Sequence, residues 1–212
     1  MVRVLVTGFE PFGGEQVNPS WEVVRRLLQA PPPGLSIIGV RLPVARFVAI
    51  DLAVEAIERE RPDLVVALGQ AGGRARLTPE RIAINVDDYR LPDNAGNQPC
   101  DEPIKADAPA AYFCTLPVKD MVVAMEAAGA PARVSNSAGT YLCNHVAFGV
   151  LHQVAGSGKE IPSGFVHLPY LPAQVADKAG ETPSVSLEVM VAGMRAALVR
   201  AAVLLSRSPE RV

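Results

Sequence analysis

The chain has 212 residues and a formal charge of −2, from 20 basic and 22 acidic side chains. Its 49% hydrophobic and 20% charged content excludes a disordered chain and suits one large folded domain over residues 1–212. The near-neutral balance argues against a nucleic-acid partner, and the three cysteines, Cys100, Cys114 and Cys143, are too few for a disulfide framework and point to a reducing, cytoplasmic compartment.

Met1 leads straight into the apolar run Val2–Val6, a buried strand rather than a secretory signal. Pro19–Gln29 reads as a helix, with Asn18 as N-cap and Pro19 at its first position. Leu35–Val40 is a second strand, Val44–Arg61 a helix stopped by Pro62, and Asp63–Leu68 a third strand closed by Gly69. The stretch Gln70–Tyr112 breaks this alternation. It holds one alternating strand, Arg81–Tyr89, among Gly, Pro, Asp and Asn, and excursions of that length are usually functional or flexible. Val118–Ala128 is helical and ends at Gly129, Ala132–Val134 is a short strand, Tyr141–Ala155 a helix and Phe165–Leu168 a strand. Ser184–Leu205 closes the chain as a helix whose Leu187, Met190, Met194, Leu198 and Leu205 form a core-facing stripe. Glu188, Arg195 and Arg200 interrupt it, so no membrane span is expected. Strands separated by helices predict an α/β fold with a mostly parallel, twisted sheet covered on both faces.

The usual phosphate, metal and serine-hydrolase motifs are missing. There is no Walker loop, no C-x-x-C, H-E-x-x-H or H-x-x-x-H, and no G-x-S-x-G, so no metal or cofactor is expected. Gly69-Gln70-Ala71-Gly72-Gly73 follows a strand but lacks dinucleotide-site spacing. His145 and His152 read as solvated or partly buried helix residues, Cys100 as a loop residue and Cys114 as packing.

Cys143 differs. The small, polar loop Ser135-Asn136-Ser137-Ala138-Gly139-Thr140 leads there into an apolar helix. A thiol in a first helical turn meets the macrodipole and free N–H groups, which favour the thiolate and hold a developing oxyanion. The alternative is a small buried hydrophobe. A cysteine nucleophile needs a base and an orienting group. His167, at the end of the strand Phe165–Leu168, is better placed than His145, and Glu80 is the candidate third member; the plainer alternatives are a strand-capping histidine and a surface carboxylate paired with Arg81.

These residues fall in blocks that resemble the pyroglutamyl peptidase I family of cysteine peptidases. The blocks are Thr7-Gly8-Phe9-Glu10-Pro11-Phe12-Gly13-Gly14 with Asn18-Pro19-Ser20; Gly69–Arg74 with Pro79–Asn85 and Pro92–Gly96; Ser135–Asn144; and Phe165–Pro172. They occur in the family's order over most of the chain, departing at Phe148 and at Asp107-Ala108-Pro109. The resemblance implies a three-layer α/β/α sandwich with a protruding excursion near residues 70–112. It implies removal of an amino-terminal pyroglutamyl residue from peptides by a Cys143–His167–Glu80 triad. It also implies that Phe9 and Phe12 line the lactam pocket, that Asn18 and Gln70 lie near the lactam, and that Arg90 lies near the oxyanion. A homo-oligomer, dimer or tetramer, is expected. The competing readings are a non-catalytic binding protein and a nucleoside-phosphorylase-like enzyme on a similar scaffold.

Overall fold

β1 (Val2–Phe9) is covered on both sides, as its unbroken apolar run requires: Val4 and Val6 face one layer, Leu5 and Phe9 the other. The computed structural model describes residues 1–178 and 180–206, so the end of the 1–212 domain expectation, 207–212, lies outside the described residues. α1 (Pro19–Gln29) begins at its Asn18 N-cap, whose Oδ1 accepts from the Ser20 N–H at 3.1 Å, and returns the chain to β2 (Leu35–Leu42), parallel to β1. α2 (Val48–Glu60) then leads to β3 (Leu64–Gln70) on the opposite side of β1. The chain thus winds outward in both directions from β1, which makes the carboxyl ends of β1 and β3 a topological switch point.

After β3 the chain forms β4 (Thr78–Pro79) at the edge of the sheet, then leaves it through β5 (Ile82–Ile84), β6 (Ala111–Phe113), α3 (Val118–Ala127) and α4 (Leu142–Gly156). It returns as β7 (Ser163–Leu168), parallel to β3, with β4 antiparallel on its outer edge. α5 (Pro172–Val175) and α6 (Leu187–Leu205) follow. Among the described residues the central sheet has the order β2-β1-β3-β7-β4, and β5 and β6 form a separate pair. α1, α3 and α6 bury their apolar faces on one side of the sheet, α2 and α4 on the other, which gives three layers. Met190, Met194 and Leu198 of α6 are fully buried, and Leu187 and Leu205 pack at its ends. Each fully buried side chain of this size contributes roughly 1.5–3 kcal/mol. No helix among the described residues is long and apolar enough to cross a membrane.

The strands of the sheet run two or three residues beyond their apolar runs, β1 to Phe9 and β2 to Leu42, and other elements differ from the sequence expectation. The strand Arg81–Tyr89 shrinks to Ile82–Ile84, because its partner β6 is only three residues long and the Asn144 side chain takes over the next backbone groups. Ala132–Val134 is no strand; it contributes one bridge, Leu77 to Ala132. The helix expected from Val44 starts at Val48, after a γ-turn in which the Val48 N–H donates to the Arg46 carbonyl at 2.8 Å and Phe47 sits at φ 62°, ψ −50°. The closing helix starts at Leu187, capped by Ser186. The 70–112 excursion does not stand clear of the body: Ala83, Tyr89 and Ile104 pack into the core beside α4.

Candidate active site

Cys143 is the second residue of α4, the most apolar helix in the layer it occupies. Among the described residues no side chain caps this helix, so the amides of its first turn keep the donor capacity of a free helix N-terminus. The Cys143 Sγ lies against Gly69 near the end of β3, where a Cβ would come within 2.8 Å of the sulfur. Gly69 is the register partner of His167 on β7, and neighbours in register send their side chains to one face of the sheet. Glycine therefore opens the gap beside His167 into which the thiol descends from α4.

His167 Nδ1 lies 2.7 Å from Glu80 Oε1, and both side chains are buried. Glu80 follows β4 directly, and its N–H donates to the Phe165 carbonyl at 2.9 Å, so the short antiparallel β4–β7 pairing brings the two together. Arg74 Nη1 donates to the same Oε1 at 2.6 Å and to Thr78 Oγ1 at 2.5 Å, while its Nη2 donates to the Ser137 carbonyl at 3.1 Å. Burial works to raise the Glu80 carboxyl, but His167 above all, followed by Ser135 and Arg74, outweighs it and holds the group below its ordinary value. Burial lowers His167, and the Glu80 contact only partly offsets this. Burial also pushes the Cys143 thiol up to about 12, with the Glu80 charge adding to it and Arg74 opposing. Burial and the free helix terminus thus act on the thiol in opposite directions.

Phe9, Phe12, Asn18, Gln70 and Cys143 line one narrow cleft, completed by Val44, Tyr141 and Leu142. Phe9 ends β1 and Gln70 ends β3, so the cavity occupies the switch point. Phe12 stacks on Tyr141 at 5.9 Å. The two polar wall residues differ. Asn18 uses both ends of its amide internally, Nδ2 to the Glu10 carbonyl and Oδ1 from Ser20 N–H and Oγ. Gln70 Oε1 accepts from Gln174 Nε2 at 2.8 Å, which leaves its donor end for a ligand. Arg90 is exposed and is not among the residues lining this cavity.

A second polar assembly escaped the sequence reading. His145, expected to be solvated or partly buried, is fully buried: its Nδ1 lies 2.8 Å from Asp87 Oδ2, and its Nε2 accepts from the Phe47 N–H at 3.0 Å. Arg46 Nε donates to the same Asp87 oxygen at 2.8 Å. Asn144 holds the Ile84 N–H and carbonyl and the Val86 carbonyl. Consecutive polar residues on an otherwise apolar helix were the available signal, because such groups are buried only with partners. His152 is partly buried beside Tyr112, Cys100 is exposed, and the Cys114 thiol packs on Gly164. No group of three or more His, Cys, Asp or Glu among the described residues is arranged to hold a metal ion.

The family model described as pyroglutamyl peptidase matches residues 2–203. A pyrrolidone-carboxylate peptidase of Vibrio vulnificus is 51% identical over 94% of this chain and 92% of its own length. One of Streptomyces coelicolor is 52% identical over 95% and 93%. Among solved structures, the pyroglutamyl peptidase I of Bacillus amyloliquefaciens superposes with a TM-score of 0.92 at 43% identity, covering 96% of this chain and 98% of that one. The pyrrolidone carboxyl peptidase of Thermococcus litoralis gives 0.94 at 38%, covering 100% and 98%. A family model that spans nearly the whole chain, and relatives about half identical over more than nine-tenths of it, place the chain in the pyroglutamyl peptidase family.

Proposed function

We propose that this pyroglutamyl peptidase removes the amino-terminal pyroglutamyl residue of peptides with Cys143 as nucleophile, His167 as general base and acid, and Glu80 as the group that orients His167. The observation that carries the reading is the buried 2.7 Å contact between His167 Nδ1 and Glu80 Oε1, on the sheet face where the Cys143 sulfur meets Gly69. A carboxylate at Nδ1 fixes the tautomer with its proton there, leaving Nε2 as the base.

As substrate binds, His167 Nε2 takes the thiol proton while Sγ attacks the pyroglutamyl carbonyl carbon. The carbonyl electrons move onto oxygen, where the first-turn amides of α4 stabilise the charge. The tetrahedral intermediate collapses, the C–N bond breaks, and His167 returns its proton to the leaving amine. Water then gives a proton to His167 and attacks the thioester, and pyroglutamic acid leaves as the thiol is restored.

The pocket explains the substrate class. Pyroglutamate has no free α-amine, so carboxylates that anchor an ammonium are of no use to it. Phe9 and Phe12 supply aromatic walls for a flat lactam once the cleft opens to admit it, with the donor end of Gln70 for the ring carbonyl. Proline lacks that carbonyl and would leave the donor unpaired. Asn18 supports the wall, and Arg90 acts on the oxyanion only if substrate draws it inward. The single catalytic unit acts in the cytoplasm as a homo-oligomer; a reducing compartment preserves the thiol, and the exposed apolar Phe47, Val48 and Leu52 offer contact surface.

The test is hydrolysis of a pyroglutamyl amide by the wild type, with and without iodoacetamide, and by Cys143→Ala. Alkylation and the substitution are each expected to abolish turnover. Cleavage by folded Cys143→Ala would rule out the assignment.

A further inference from the structure

The triad reading gives Arg74 no part, yet its guanidinium reaches more of the site than any other charged group. It donates to Glu80 Oε1 at 2.6 Å, the oxygen that His167 Nδ1 also approaches, at 2.7 Å. It holds Thr78 Oγ1, and Thr78 is the register partner of His167. It also holds the carbonyl of Ser137, in the loop that delivers Cys143 to the start of α4. One side chain thereby joins the segment carrying Glu80 to the loop that delivers Cys143, and meets His167 through the carboxylate oxygen they share.

We propose that Arg74 is a positioning residue of this reaction: it fixes the Glu80 carboxylate in its frame and sets how much negative charge Glu80 presents to His167. The proposal rests on the triad reading above. A carboxylate facing a buried imidazole with nothing to balance it would favour the imidazolium, which is useless as a base. A guanidinium on the same carboxylate oxygen offsets part of that field while leaving the orienting hydrogen bond intact. The groups facing His167 are few. Glu80 comes from the β4 end, Arg74 from the loop after β3 and Cys143 from α4; β3 contributes the bare Gly69, β7 the ring of Phe165, and Cys114 lies further along β7 against Gly164. The direction agrees with the lowering of His167, to which Arg74 contributes.

The test is a histidine-nitrogen NMR titration of His167 in the full-length wild type, Arg74→Gln and Arg74→Lys, beside the pH dependence of kcat/KM for a pyroglutamyl amide. Arg74→Gln keeps N–H donors but loses the charge. It is expected to move the His167 midpoint, and with it the acid limb of kcat/KM, up by about one pH unit or more. Arg74→Lys should hold both near wild type. An unmoved midpoint in folded Arg74→Gln, or an equal shift in Arg74→Lys, overturns the proposal. So does loss of folding in both variants, which would place Arg74 in the fold alone. The NMR titration needs no turnover, so an inactive wild type whose His167 midpoint still shifts in Arg74→Gln would count against the peptidase reading and not against Arg74.

Discussion

Gly69 shows how little room surrounds the thiol. A methyl group there would meet Cys143 Sγ at 2.8 Å and the Phe165 ring at 2.6 Å, and Phe165 is buried with nowhere to retreat. Gly69→Ala is therefore expected to cost about 1–3 kcal/mol of stability. Displacement of the sulfur should lower kcat/KM by on the order of 10²-fold. Thermal melting and steady-state kinetics on the same preparation check both, and wild-type turnover would mean that the contact relaxes freely. Glu80→Gln probes the other side of the site. It leaves shape and burial nearly intact but removes the charge that orients and supports imidazolium during transfer, so kcat should fall by roughly 10²-fold or more while the melting profile stays cooperative. At this scale the ordered blocks singled out Cys143, His167 and Glu80, and the structure brings Glu80 onto His167 and the Cys143 sulfur onto Gly69 beside it. Arg74 stood in one of those blocks as well, but its role depends on Glu80, Thr78 and Ser137 converging in space, which spacing along the chain does not encode.

The elements are held to the site by polar links as much as by packing. The Phe9 N–H donates to Ser20 Oγ at 2.9 Å, and that hydroxyl donates to Asn18 Oδ1 at 2.7 Å, so the end of β1 and the cap of α1 form one chain of hydrogen bonds. Asn18→Ala is expected to cost about 1 kcal/mol as a lost N-cap. Freeing Phe9 at the pocket wall should also raise KM more than it lowers kcat. Urea unfolding and substrate-saturation curves separate the two effects. Helices with strong end signals were read closely: α1 matches its expected range, and Gly129 follows α3 at φ 81°. The start of α2 was missed for a physical reason. Phe47 occupies a strained conformation that local propensity disfavours, and it is held there by the His145 side chain from α4 and by Arg46 bound to Asp87. The shortening of the Arg81–Tyr89 strand has a similar origin, since alternation marks which side chains are buried but not how long the partner strand is.

Charge burial makes the whole molecule sensitive to acid. Glu80 and Asp93 lie below their ordinary values of 4.5 and 3.8, Glu80 through His167 and then Ser135 and Arg74, Asp93 through Asn97 and nearby backbone amides; in both, these outweigh a burial that alone would raise them. Each stabilises the fold above its unfolded-state value, and that contribution is lost as pH falls through the folded one. His167, lowered from 6.5 by burial, acts in the same direction: below 6.5 the unfolded chain takes up a proton that the folded site resists. The urea midpoint is therefore expected to fall steadily from pH 7 toward pH 4, beginning near 6.5. A flat profile between pH 7 and 5 would contradict the burial of a neutral His167.

The sheet order sets a sequence in time as well as in space. β3 and β7 are neighbours, yet nearly half the chain lies between them, including β4, α4 and Cys143. β1, α1, β2 and β3 can assemble from contacts close along the chain, while β7 must close a very long loop, the slower kind of event. Until it docks, β3 has an open edge, His167 and Glu80 are apart, and the thiol lies against a half-built wall. On refolding, fluorescence from Trp21 on α1, the only tryptophan, should recover ahead of hydrolytic activity. The interval between the two signals is the time during which a reactive cysteine is made but not yet sheltered, and it is then that an oxidant would do the most harm.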